Sequence, residues 1–355
     1  MNVHSVDISV VNPTAAKTQL IIDVRSPKEF TFGHIPGAIN IPLLDDDERV
    51  QVGTMYKTRG RTEAVQLGFE LVGSRFAGFA QQARALAEDR QALVYCWRGG
   101  MRSEIMTWVF GLAGVRAVRV TGGYKAWRNV CLDLFSRSWK VNLISGPTGS
   151  GKTELLLALT AMNEQIIDFE ALACHRGSAF GGLGLGAQPT QAQFENTLAM
   201  TLLEMDPEKR VWVEDESRFI GKVKIPDRLF SQVECADEVE LKSDIPLRVS
   251  RIIREYGGFA RADLEEKTLQ IRKRMGPEQN AMALALLQEN DLTGWATQLL
   301  SYYDKAYQHT INQRRKVKRT RVLGMVVANP IEDFSKLALE ARDLADHHEK
   351  LPYHG

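Results

Sequence analysis

The stretch VYCWRGGMRS puts a single thiol, Cys96, at the head of a loop made of Trp97, Arg98, Gly99, Gly100, Met101 and Arg102. The thiol ends a predicted strand, and a helical pattern begins near Arg102 and Ser103. Backbone N–H groups in such a loop converge on one point and make a concave anion site. Those dipoles, with Arg98 and Arg102, favour negative charge, so Cys96 is expected to act as a nucleophile at neutral pH. The competing reading is a small core residue buried at a strand end. Further along, GPTGSGKT supplies Gly146, Gly149, Ser150, Gly151, Lys152 and Thr153 in the G-x-x-x-x-G-K-[ST] spacing of a phosphate-binding loop, between a predicted strand and a predicted helix. The glycines let the backbone approach phosphate oxygens, Lys152 reaches the outer phosphates, and Thr153 can hold Mg²⁺. The backbone geometry leaves open whether the ligand is ATP, GTP or another diphosphate.

Other chemistry-bearing residues are less specific. Asp168 and Glu170 end one short strand, and Glu214, Asp215 and Glu216 follow another. Carboxylates at strand ends line the crevice of an open α/β sheet, where they hold a metal or position water, or else they cap helices. His175 and Arg176 open a small-residue run, HRGSAFGG, expected to fold over the phosphate ligand or to serve as an exposed connection. Arg248, Arg251 and Arg254 recur at a three-residue step and share one helix face. Arg314, Arg315, Lys316, Lys318, Arg319 and Arg321 form a run with no acid, preceded by the aromatics of SYYDKAY. Both basic sets read as a footprint for a nucleic-acid backbone, or as solvated helix faces.

Stepping from these residues to the elements that hold them, LIIDV, ALVYC and RAVRVTGG read as buried strands separated by helical segments. KVNLIS, QIIDFE and RVWVEDES repeat the pattern in the second half, and the chain from about Asp244 onward is mostly helical in pattern. Strand–helix alternation predicts parallel sheets with helices on their faces. The expected organisation is an α/β domain over residues 1–137 and a phosphate-loop α/β domain with a helical, basic C-terminal region over 138–355. With 355 residues, 44% of them hydrophobic and 25% charged, both halves can bury a core. The four cysteines, Cys96, Cys131, Cys174 and Cys235, lack CxxC spacing, which argues against a disulfide scaffold or structural zinc and fits a reducing cytoplasm. The N-terminus has no basic start followed by an apolar run, so no signal peptide is expected. No apolar run approaches the roughly 20 residues of a membrane span, so no membrane partner is expected.

DVRSPKEFTFGHIPGAINIP (23–42) and VTGGYKAW (120–127) resemble the two signatures of the rhodanese family, whose loop cysteine carries sulfur as a persulfide. Cys96 stands at that position. The spacing from Cys96 to Arg102 is one residue longer than in most sulfur-transferring rhodaneses. It is similar to that of rhodanese-fold phosphatases and arsenate reductases, which hold a tetrahedral oxyanion. With VGTMYKTRGRTEAVQLGFELV, HRGSAFG, QPTQAQFEN and VEDESRFIG added, the chain from about 20 to about 321 resembles the tRNA 2-selenouridine synthases. The resemblance implies an N-terminal rhodanese-like domain followed by a P-loop NTPase-like domain. It implies an enzyme that converts wobble 2-thiouridine in tRNA to 2-selenouridine through an S-geranyl intermediate. Its substrates would be geranyl diphosphate and selenophosphate, and an enzyme supplying selenophosphate would be a candidate partner. The division expected here gives the diphosphate to the phosphate loop and the selenium donor to Cys96, by way of a perselenide. A rhodanese-fold phosphatase or sulfurtransferase with a nucleotide-binding domain stays open as the alternative.

Overall fold

The computed structural model describes residues 3–12, 15, 17–318, 322–328 and 333–349. Among them are strands β1 (Ser5–Val6), β2 (Gln19–Asp23), β3 (Ile39–Asn40), β4 (Gln91–Tyr95), β5 (Ala117–Val120), β6 (Lys140–Ser145), β7 (Gln165–Ile167), β8 (Arg210–Glu214), β9 (Phe219–Ile220), β10 (Val223–Lys224), β11 (Asp237–Ser243) and β12 (Val322–Ala328). The chain forms two compact units. One is Met1–Phe135 with Thr190–Leu203, the other Ser136–Pro189 with Glu204–Gly355.

The first unit holds a five-stranded parallel sheet in the order β1-β5-β4-β2-β3. Its inner strands read as unbroken apolar runs because helices cover both faces of a parallel sheet. Ile22, Leu93 and Val94 are accordingly inaccessible. The chain passes outward from β2 to β3, then returns to β4 and continues to β5 on the other side. The sheet therefore changes direction beside β4, and the crevice created at such a switch lies at the strand's C-terminal end. Cys96 occupies that end.

Helix Gln191–Leu203 belongs to this first unit although it comes from the middle of the phosphate-loop segment, a placement that a single linear boundary near residue 138 does not anticipate. Asn196, with no solvent exposure, explains it. Its side-chain amide donates to His34 O (2.8 Å) and Tyr124 Oη (2.8 Å). Its carbonyl accepts from Trp127 Nε1 (3.1 Å) and Arg128 Nη1 (2.8 Å). Arg128 also pairs with Glu195, and Gln193 accepts from the His34 amide at 2.9 Å. Gln193 and Asn196 of the QPTQAQFEN segment thus satisfy polar groups of the first unit.

The second unit has its own five-stranded parallel sheet, ordered β12-β11-β6-β8-β7, plus the antiparallel pair β9–β10. Helix Lys152–Thr160 and helix Phe334–Glu349 pack with the sheet through Leu155, Leu156, Leu159 and Ala341. A separate helical cluster is built on Trp295, Tyr256, Leu299 and Phe180. Here too the central strand, β6, marks the change of direction, and the phosphate loop follows it. Among the described residues no helix is long and apolar enough to cross a membrane.

Candidate functional site

Cys96 follows β4 and is 4% exposed. Its Sγ lies 3.3 Å from Ser103 Oγ, and Ser103 in turn donates to Gly100 O at 2.9 Å. Among the described residues, the backbone amides of residues 97–100 donate to no protein group, which leaves them free for an anion. The glycine pair of VTGGYKAW holds this loop from below. Tyr124 N donates to Cys96 O, and Lys125 N to Trp97 O, both at 2.9 Å. Gly123 sits at φ +57°, and a Cβ there would come within 2.2 Å of Cys96 O, so only glycine permits this approach. Arg98, Trp97 and Met101 are exposed at the rim. Arg102 instead pairs with Glu29 at 2.6 Å, which lowers the Glu29 carboxyl against the opposing effect of burial. Asp23 and Arg25 form a fully buried bidentate pair, with Arg25 also bonded to Gly33 O and stacked over Tyr124; they hold the scaffold rather than face a ligand.

In the second unit, the phosphate loop lines a cavity of about 730 Å³. Gly146, Gly149, Gly151, Lys152 and Thr153 line it, together with Asp168, Glu170, Glu214, Asp215, Glu216 and Arg176. Ser150 is buried behind them. Lys152 Nζ donates to Gly146 O at 3.1 Å. Gly151 adopts φ +97°, and a Cβ there would press on the Phe334 ring at 2.8 Å and on Arg251 Cζ at 3.1 Å.

The carboxylates separate into distinct roles. Asp168 caps helix Phe169–Ala173 by accepting from Ala171 N at 2.8 Å. Glu170 and Glu216 face each other. Burial, then the negative charge of Glu216 and Glu214, pushes Glu170 up to about 9, while burial, then Glu214, pushes Glu216 up to about 7. Two desolvated carboxyls in contact hold one proton between them at neutral pH. Burial also raises Glu214, opposed by Lys152 and Thr153. Its Oε1 is buried with no hydrogen-bond partner among the described residues. An unsatisfied carboxylate oxygen beside Thr153 fits a divalent cation carried in with a phosphate ligand. Among the described residues no three His, Cys, Asp or Glu side chains form a ready-made metal cage, so phosphate and water would have to supply the remaining ligands.

The HRGSAFGG segment is anchored. Phe180 is 2% exposed and packs on Tyr256 and Trp295, and Arg176 pairs with Glu255 at 2.8 Å. Arg176 lines the cavity, whereas His175 does not; burial, then Arg176, lowers its imidazole and favours the neutral form.

The reading of Arg248, Arg251 and Arg254 as one nucleic-acid face is corrected by their burial. Arg248 is 4% and Arg251 5% exposed. Arg248 Nε donates to Thr148 O (2.8 Å) and its guanidinium grips Asp304 at 3.0 and 2.5 Å. Arg251 Nη1 donates to Gly149 O at 2.7 Å. Both brace the phosphate loop from behind, a role hidden in the sequence because it depends on helix Ile245–Tyr256 packing against a loop about 100 residues earlier. Arg254 alone is exposed, paired with Glu154 at 3.0 Å. Helix Leu292–Lys318 carries Arg314, Arg315, Lys316 and Lys318 on its described backbone, but their side chains, and Arg319 and Arg321 altogether, lie outside the described residues.

A thiol loop and a phosphate loop, each at the C-terminal end of the central strand of its own parallel sheet, define a rhodanese-like domain joined to a phosphate-loop domain. Residues 10–130 match the rhodanese-like domain model, and 139–267 match the model of the tRNA 2-selenouridine synthase AAA domain. The chain is 41% identical over 265 residues to the tRNA 2-selenouridine synthase of Nitrosomonas europaea, spanning 70% of this chain and 67% of that protein. It is 36% identical over 336 residues to that of Shewanella woodyi, spanning 83% and 89%, and 34% identical to that of Shewanella denitrificans over the same shares. The chain belongs to the tRNA 2-selenouridine synthase family.

Proposed function

We propose that the protein converts 2-thiouridine at the tRNA wobble position to 2-selenouridine in two steps, through an S-geranyl intermediate. The observation that carries this reading is the presence in one chain of two phosphate-suited loops, one with a thiol and one without. In the first step the thiocarbonyl sulfur attacks C1 of geranyl diphosphate; a C–S bond forms and diphosphate leaves. The phosphate loop binds the leaving diphosphate through its backbone amides, and Lys152 neutralises the charge that develops on it. Mg²⁺ held by Thr153 and Glu214 would supply further neutralisation of the leaving group. Alkylation makes the sulfur a good leaving group. In the second step the selenium of selenophosphate adds at C2 and geranyl thiol departs, which leaves a Se–P bond to be cleaved. The loop of residues 97–102 binds the donor's phosphate, and the Cys96 thiolate attacks its phosphorus: an S–P bond forms, the Se–P bond breaks to leave selenium on C2, and water then releases inorganic phosphate from Cys96. The basic run of residues 314–321 contacts the tRNA backbone, with Arg254 as a lesser contributor.

The steps are separable in a test with an anticodon stem–loop RNA. Lys152→Ala should cut geranylation at least tenfold and leave selenation of pre-geranylated RNA within about twofold. Cys96→Ser should do the reverse, because a hydroxyl stays protonated at neutral pH and does not attack the donor's phosphorus. If both variants lose the same step, the division of labour is wrong; if Cys96→Ser selenates normally, the nucleophile assignment is wrong.

A further inference from the structure

Beside the thiol loop, within the first unit, lies a second cavity of about 260 Å³ that the two-loop reading leaves unused. Its walls are apolar: Val52, Tyr56, Val65, Phe69, Met101 and Ile105. A solvent-open pocket of this size with apolar walls has the character of a ligand site. At the roughly 30 Å³ that a water-sized group occupies, it holds roughly nine such groups.

Its construction supports that view. Helices Asp46–Arg59 and Arg61–Val72 form a pair turned at Gly60, which adopts φ +96°. No residue of the first helix is buried, and only Ala64 and Val72 of the second are. Val72 joins the core and Val52 and Leu71 pack against it, while Tyr56, Val65 and Phe69 are left to line the cavity. Tyr56 is 59% exposed, Phe69 50% and Met101 36%, so the cavity opens to solvent through an apolar mouth. Met101 and Arg102 are shared between this cavity and the Cys96 loop, which makes the two sites continuous, and Arg61 adds a cation to the same lining.

We infer that this cavity binds the prenyl chain of the S-geranylated nucleoside while selenium is delivered at Cys96. The inference rests on the two-step reading above and gives it a specificity element. A branched chain of ten carbons matches the volume, an apolar wall favours it over any polar group, and the position next to the thiol loop leaves the thioether end toward the selenium donor. The cationic rim suits the phosphates of the attached RNA. The site would also explain how the second step distinguishes an alkylated uridine from an unmodified one.

Gly68 provides a clean perturbation. It lines the cavity, lies within helix Arg61–Val72, and a Cβ there would meet nothing within 4 Å. Gly68→Leu therefore adds an apolar side chain to the cavity wall with no clash at its Cβ, and improves helix propensity. The probe is S-geranyl-2-thiouridine nucleoside titrated calorimetrically into the full chain, with the S-methyl nucleoside as control. Each buried methylene is worth about fourfold in affinity, so burying about four of the extra carbons gives roughly 200-fold preference for geranyl. In Gly68→Leu that preference should fall at least tenfold, with the S-methyl affinity and the melting temperature not reduced. An S-farnesyl nucleoside should gain nothing over geranyl, because the cavity is already full. Equal affinity of the wild type for geranyl and methyl nucleosides, or a preference untouched by Gly68→Leu, overturns the inference. Selenation of pre-geranylated RNA separates this from the underlying reading. Gly68-sensitive binding without conversion sustains the cavity and sinks the two-step path, and conversion equally fast in both proteins sustains the path and sinks the cavity.

Discussion

Replacing Arg248 by methionine discriminates between a loop brace and an RNA contact. Methionine keeps much of the stem and removes only the guanidinium. Two groups then lose a partner: Thr148 O in the phosphate loop and the Asp304 carboxylate. An unpaired buried carbonyl costs about 1–3 kcal/mol. Breaking a fully buried ion pair costs about 3–5 kcal/mol. The Asp304 side chain is 35% exposed and can be rehydrated, so its share lies well below that range. A loss of about 2–4 kcal/mol from the stability of the second unit follows, measurable by guanidinium denaturation of wild type and variant side by side. Because Thr148 O is one of the points that fix the loop, diphosphate affinity should fall about tenfold or more. RNA affinity should keep its salt dependence, since no phosphate contact is removed. Arg248 is an RNA contact and no brace if stability and diphosphate affinity hold while the slope of log affinity against log salt drops by about 0.7–0.9, the signature of one lost phosphate contact.

Asn196→Ala leaves Trp127 Nε1, Tyr124 Oη and His34 O without this partner and removes one of the acceptors of Arg128, and should destabilise the first unit by about 3 kcal/mol; a variant melting with the wild type would remove the docking role given to helix Gln191–Leu203. Glu170 and Glu216 bind protons more tightly folded than unfolded, so their contribution is fully present below about pH 4 and is lost as pH rises through about 7 and then about 9. Glu216→Gln should flatten that decline, seen as a stability advantage over wild type that grows between pH 5 and pH 9; an advantage that shrinks with pH contradicts the shared proton. Neutralising Arg314, Arg315 and Lys316 together should weaken binding to all tRNAs alike and flatten the salt slope, by filter binding at several ionic strengths; an unchanged slope moves RNA docking elsewhere.

Much of the fold was legible because its signal is local. The apolar runs before Cys96 and Gly146 are strands β4 and β6, and the runs ending in acids are β7 and β8. Strand β11 was not legible, because its DEVELKS sequence hides Val239 and Leu241 among charges, and one of those, Glu238, is itself fully buried. The loops were legible as motifs, since glycine spacing is a direct imprint of backbone geometry. What surrounds them was not. Arg248 and Arg251 have the helical spacing of a surface stripe, and only tertiary packing turns that stripe inward. Asn196 carries no motif signal of its own, yet it closes a hydrogen-bond network with residues more than 60 positions earlier. The cavity beside the thiol loop left its mark only as an unusually apolar exposed surface, which sequence periodicity reads as core.

The acid-rich lining of the phosphate-loop cavity looks at odds with binding a diphosphate, and the charge arrangement resolves this. Most of the cations near the loop are committed: Arg248 to Asp304, Arg176 to Glu255 and Arg254 to Glu154. Lys152 donates to Gly146 O, a bond it can exchange for a phosphate oxygen without moving its backbone. If Glu170, Glu214 and Glu216 were all ionised, a diphosphate would enter against several like charges. Their raised affinity for protons prevents this at neutral pH, and it does so through burial, which the ligand would reinforce by excluding water. A divalent cation at Glu214 acts in the same direction, since it adds two positive charges beside the carboxylates. Diphosphate binding without added cation should therefore weaken as pH rises above about 7, where Glu216 ionises, and added Mg²⁺ should restore it. Calorimetric titration of inorganic diphosphate at pH 6 and pH 9, with and without Mg²⁺, measures both effects. Affinity that rises with pH in the absence of metal would mean that the carboxylates face away from the bound ligand.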